Sequence, residues 1–158
     1  MGNEPDSGCD QVSSRTTVVL TNWKRPDNLR RIVEAFAEQT VAPAYMFLVD
    51  NHPENEPQFA VPEEVAAKFS DVYRFGVNAG PPCRFVGASF ATTEFVLFCD
   101  DDMLPGKRAV EAYEEQSDAL GGKFSTLSDV GRIYRGNMEQ GYTIRRRNVR
   151  RNTDAPSM

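Results

Sequence analysis

The sequence is short of the residues that build metal clusters and disulfide frameworks. Its 158 residues include three cysteines and one histidine. Cys9, Cys83 and Cys99 are scattered without a C-x-x-C spacing, which argues against a disulfide scaffold and a zinc site and leaves reduced thiols as the default. His52 stands beside Pro53 with no second imidazole at ligand spacing, and reads as a turn residue rather than a catalyst. There is no run of eighteen apolar residues. Met1 to Arg15 has neither the charged-then-apolar pattern of a signal peptide nor an amphipathic transit pattern. The expectation is a cytoplasmic chain without a transmembrane segment.

Basic charge is also scarce in the body of the chain. The net charge is -5, yet Arg145, Arg146, Arg147, Arg150 and Arg151 crowd into the last fifteen residues, where Asp154 is the only acid. An acidic body argues against nucleic-acid binding. The basic tail would suit a phosphate-bearing partner, although such runs are usually solvated.

What is present alternates between short apolar runs and amphipathic stretches. Thr16 to Leu20, Tyr45 to Val49, Val72 to Phe75 and Phe95 to Cys99 read as strands. Between the first two, Leu29, Ile32, Val33 and Phe36 fall at helical spacing after Pro26, predicting a helix that stops near Thr40. Further helices are expected around Glu63 to Phe69, from Pro81-Pro82 toward Thr92, and from about Gly106 to Leu120 before Gly121-Gly122. Phe124 to Leu127 and Arg132 to Tyr134 are candidate strands. Phe85 and Phe90 are candidate core residues. Residues 1–15 and 144–158 lack periodicity and read as a disordered lead and a flexible tail.

This alternation implies an α/β fold, a three-layer sandwich around a mostly parallel sheet. In such sheets ligands lie beyond the carboxyl ends of the strands. Each main strand has a polar cluster there: Thr21-Asn22, Asp50-Asn51 and Asp100-Asp101-Asp102. Consecutive carboxylates oppose one another's ionisation, and a divalent cation is the usual remedy. Alternation along an extended chain lets Asp100 and Asp102 face one site while Asp101 faces away. Hard oxygen donors without His or Cys favour magnesium or manganese.

The strings VVLTNWKRPDNLRRIVEAFAEQT, FLVDN and NAGPPCRFVGASFATTEFVLFCDDD resemble, in order and spacing, the N-terminal half of family-2-type glycosyltransferases of the GT-A fold. The resemblance implies a nucleotide-sugar-binding domain over residues 16–143, transferring sugar from a nucleoside diphosphate sugar, UDP-sugar by preference or GDP-sugar, to an unknown acceptor with inversion. It also implies that Thr21 and Asn22 line base and ribose, that Asp50 accepts a hydrogen bond from the base, and that Arg84 lies near base or diphosphate. Asp100 would sit beside ribose and metal, with Asp102 a direct ligand of Mn2+ or Mg2+. Lys24 and Arg25 are further phosphate candidates, and Trp23 could stack on a base. No general base matches the family downstream of Asp102; Asp129 and Glu139 are the carboxylates at hand. An alternative is therefore a non-catalytic or split nucleotide-binding subunit that relies on a partner chain or a missing C-terminal part. FVLFCDDDML also resembles the first motif of haloacid-dehalogenase phosphohydrolases, but Leu104 replaces Thr or Val and no later acidic pair follows. A nucleotidyltransferase would carry a Gly-rich phosphate loop where this chain has TNWKRP.

Overall fold

Strand and helix follow one another as the apolar pattern predicts, and the computed structural model describes residues 14–121, 130–135 and 143–148. The order is β1 (Thr16–Asn22), α1 (Pro26–Ala37), β2 (Tyr45–Pro53), α2 (Glu63–Ala66), β3 (Asp71–Gly76), α3 (Arg84–Ser89), β4 (Phe95–Asp100) and α4 (Ala109–Ala119). Short 3-10 turns at Pro57–Phe59 and Pro81–Cys83 precede α2 and α3. A separate antiparallel pair is formed by β5 (Val130–Arg135) and β6 (Thr143–Asn148).

The four-stranded sheet runs β3-β2-β1-β4, and all three pairings are parallel. Right-handed crossovers explain the layering. The chain first steps outward from β1 to β3, then jumps back past β1 to β4, so its connecting helices fall on opposite faces. On one face Leu29, Ile32 and Phe36 of α1, Val65 and Ala66 of α2 and Val110 of α4 pack on Val18, Leu20 and Leu48. On the other face α3 lies over Val19 and Val49. A Cβ on Gly87 would come within 2.9 Å of Val49 Cγ2 and 3.0 Å of Val19 Cγ1, so only glycine lets α3 approach that closely. The result is the expected α/β sandwich with a parallel centre.

The Gln-Thr at the end of the first amphipathic stretch has a physical use. Gln39 donates to the carbonyls of Ala35 and Gly106 and accepts from the Val110 N–H, while the Thr40 N–H donates to the Lys107 carbonyl. Together they clamp the end of α1 to the start of α4. In the middle of α4, buried Glu114 accepts hydrogen bonds from Ser14, the Arg15 N–H and Thr16. Ser14 and Arg15, expected within the disordered lead, are thus tied to the body; residues 1–13 lie outside the described residues.

Several element bounds differ from expectation. β2 is longer than Tyr45 to Val49 and takes in His52, which is therefore a strand residue. The helix after Glu63 ends at Ala66. Phe85 and Phe90, expected in the core, are 61% and 57% exposed, because α3 is too short to carry them under a second layer; Phe85 meets Phe98 edge-on and Phe90 stacks on Tyr73. The start of the basic tail belongs to β6. Phe124 to Leu127, Asp129, Glu139, Cys9, Arg150 and Arg151 lie outside the described residues. Among those described, no helix is long and apolar enough to cross a membrane.

Candidate functional site

The strand order reverses between β1 and β4, where Thr21 and Asp100 are register partners. That is the switch point at which parallel sheets leave a crevice. A cavity of about 290 Å³ opens there, lined by Thr21, Trp23, Arg25, Asn51, Asn78, Gly80, Pro81, Arg84, Asp100, Asp101 and Asp102. Its volume is near the lower end for small-molecule sites, roughly 300 Å³.

The acidic triplet follows from β4. Five apolar residues carry the strand to Asp100, and a turn then places Asp101 and Asp102. Asp101 is the buried member, 3% exposed. Its carboxylate accepts from the Trp23 N–H at 2.6 Å and from Arg25 Nη1 at 2.9 Å, and its carbonyl accepts from Asn28 Nδ2. Asp101, expected to face away from the site, instead lines the cavity with its neighbours, shares Arg25 Nη1 with Asp102 and locks the loop after β1, because the chain turns after Asp100 and the strand alternation no longer applies. Asp100 and Asp102, with side chains 44% and 57% exposed, both line the cavity. Each has an arginine: Arg84 Nη2 is 2.8 Å from Asp100 Oδ1 and Arg25 Nη1 is 3.1 Å from Asp102 Oδ2. Hydrogen bonding to Asp101, more than any other influence, raises the Arg25 pKa above its ordinary value. The repulsion within the triplet is therefore relieved by two guanidinium groups, and among the described residues no three acidic, His or Cys side chains form a ready-made metal cluster.

The carboxyl ends of β1 and β2 split into a front and a back. Thr21 and Asn51 line the cavity, whereas Asn22 and Asp50, 0% and 1% exposed, do not. Asn22 donates from Nδ2 to Asp50 Oδ1 at 2.9 Å and accepts from the Arg25 N–H, tying both strand ends to the start of α1. His52 Nδ1 is also 2.9 Å from Asp50 Oδ1, while Asp50 Oδ2 is buried with no hydrogen-bond partner. Lys24 turns from the cavity to pair with Glu56 and lies over the rings of Trp23 and Phe59, with a left-handed φ of 62°.

Residue patterns did not single out the clasp made by Asn51 and Asn78. Asn51 accepts from the Ala79 N–H and donates to Asn78 Oδ1, which also accepts from the Gly80 N–H. Gly80 adopts φ 72°, the left-handed conformation that glycine tolerates, and this turn starts the segment that carries Arg84. The Asn-Ala-Gly string was the available signal. Cys83 and Cys99 are buried thiols; burial, ahead of the neighbouring carboxylates, pushes Cys99 up to about 12, which keeps it an unreactive thiol.

No family model matches the chain, and no curated protein does. Solved structures do. The crystal structure of S. aureus TarS matches with a TM-score of 0.54 and 22% identity, covering 73% of this chain and 20% of TarS. TarS 1-349 in complex with UDP matches with a TM-score of 0.55 and 22% identity, over 73% of this chain and 33% of that one. The same fragment with UDP-GlcNAc gives 0.54 and 23%, over 73% and 32%. The likeness establishes the fold. It is the α/β type with a parallel sheet that the GT-A resemblance implied, and the chain spans about a third of the shorter structures.

Proposed function

We propose that this chain is the nucleotide-sugar-binding part of a divalent-metal-dependent, inverting glycosyltransferase that uses a UDP-sugar, or a GDP-sugar, as donor. One observation carries the reading. The cavity at the β1/β4 switch point gathers two arginines and the acidic triplet in a fold shared with a protein solved with UDP and UDP-GlcNAc bound.

The chemistry of the parts fits. A diphosphate leaving group gains negative charge as the anomeric bond breaks, and Arg84 and Arg25 at the cavity wall are suited to receive it. Thr21 and Trp23 supply a hydroxyl and a ring for the nucleoside. Asp100 and Asp102 offer hard, half-exposed oxygens suited to Mn2+ or Mg2+, which would have to compete with the two arginines for them. Bound there, the metal supplies Lewis-acid stabilisation of the departing diphosphate. Lys24, committed to Glu56, is not assigned to phosphate.

A second reading, a non-catalytic or split nucleotide-binding subunit, is favoured by one feature. Among the described residues, every carboxylate lining the cavity belongs to the triplet, and none of them is left there to deprotonate an acceptor. Two assays separate the readings. Trp23 is the single tryptophan and lines the cavity, so its fluorescence should report UDP binding that tightens with Mn2+. Donor hydrolysis then distinguishes enzyme from binder. A flat fluorescence titration with UDP and GDP, with and without Mn2+, contradicts both readings.

A further inference from the structure

A second hollow, of about 130 Å³, opens beside the acidic triplet, between one face of α1 and the turn after β4. Asn28, Arg31 and Ile32 stand at i, i+3 and i+4, so α1 presents them to it together. Asp101 and Asp102 line this hollow as well as the larger cavity, which makes the two immediate neighbours. Arg31 is the unusual member. Every other arginine between residues 14 and 121 holds a carboxylate, as Arg15, Arg25, Arg30, Arg74, Arg84 and Arg108 do, whereas Arg31 has no hydrogen-bond or ion-pair partner among the described residues. A guanidinium left free at a hollow is suited to an anion, because its planar fork of donors matches a phosphate or a carboxylate. Met103 and Leu104, 50% and 59% exposed, give the same hollow an apolar side. Asn28 Nδ2 is engaged by the Asp101 carbonyl, and Arg25 Nη1 reaches Oδ2 of Asp102. The Asn28 side-chain oxygen and Asp102 Oδ1 are therefore left to accept hydroxyls.

Resting on the proposed nucleotide-sugar reading, we infer that this hollow is the acceptor subsite and that it takes a small polyhydroxy compound carrying an anionic group. The phosphate or carboxylate lies on Arg31, the carbon chain against Met103 and Leu104, and a hydroxyl at Asp102, next to the donor cavity. Charge sets that orientation. An anion is repelled by Asp101 and Asp102, so it takes the Arg31 end and leaves the hydroxyl end at the shared wall. Size sets the class: the hollow has less than half the volume of the donor cavity, about 130 against 290 Å³, which suits the reacting end of an acceptor rather than a second nucleotide.

The test uses glycerol 3-phosphate and glycerol, a matched pair with and without the anion. Isothermal titration into the full chain saturated with UDP and Mg2+ should show glycerol 3-phosphate binding about tenfold or more tighter than glycerol, the scale of one hydrogen bond to a charged group. UDP affinity, followed by Trp23 fluorescence, should not fall as glycerol 3-phosphate is added. Arg31→Ala should bring glycerol 3-phosphate down to the level of glycerol, and Arg31→Lys should restore part of the margin. Both variants change an exposed side chain that does not line the donor cavity, so both should fold and bind UDP as the wild type does. Arg30→Ala removes the same charge from a side chain outside the hollow and should leave the margin intact. Competition between glycerol 3-phosphate and UDP, equal affinities for the two probes, or equal losses in Arg30→Ala and Arg31→Ala overturns the inference. Failure of the wild-type chain to bind UDP with Mg2+ overturns the underlying reading instead, and that failure is visible before either probe is added.

Discussion

Asp50 and the Asp100–Asp102 triplet stand at carboxyl ends of the same sheet, yet they are stabilised in opposite ways. Asp50 is 1% exposed and is held by an amide and an imidazole. Asp100 and Asp102 are about half exposed and are held by guanidinium groups. Water screens the exposed pairs, so those carboxylates can exchange partners at little cost. The buried one has no such freedom, and its surroundings must be preorganised by short hydrogen bonds. The difference is between a fixed, buried carboxylate behind the cavity and two exchangeable ones on its wall.

Substitutions can break or sharpen that contrast. The largest effect is expected for Asp50→Ala, which strips Asn22 and His52 of their acceptor; stability should fall by about 2–4 kcal/mol in chemical denaturation, and nucleotide affinity should fall with or without metal. Asp101→Ala should cost about 2–3 kcal/mol, because it frees the Trp23 N–H and Arg25 from the buried member of the triplet. Gly87→Ala should cost about 1–3 kcal/mol by forcing α3 off Val19 and Val49, with nucleotide affinity affected less than stability. Smallest in stability is Asp102→Ala, within about 0.5 kcal/mol, because its side chain is more than half exposed. That same variant should abolish the metal-dependent part of nucleotide binding. A large stability loss at Asp102 or a negligible one at Asp50 would reverse the contrast.

Much of the fold could be read from periodicity, because β1 and β2 carry apolar runs buried in the sheet, β4 is an apolar run at its edge and α1 has its buried residues at helical spacing. Helix ends were less legible: α2 and α3 stop early, and short helices are set by tertiary packing rather than by pattern. The site was legible as a set of polar clusters at strand ends. The division between them was not. Thr21 and Asn22 are adjacent in sequence, and only the pleat decides that one lines the cavity while the other is buried behind it. The pairing of Asp100 with Arg84 and of Asp102 with Arg25 depends on contacts between distant segments, which a local pattern does not encode. His52 was read as a turn residue because the register shift that carries β2 on to Pro53 leaves no local signature.

A crystal structure of the chain grown with UDP and Mn2+ tests the central claim most directly. The account predicts diphosphate density between Arg84 and the triplet, and a metal ion on Asp102. Nucleotide bound away from the β1/β4 crevice, with Arg25 and Arg84 still closed on their carboxylates, would contradict it.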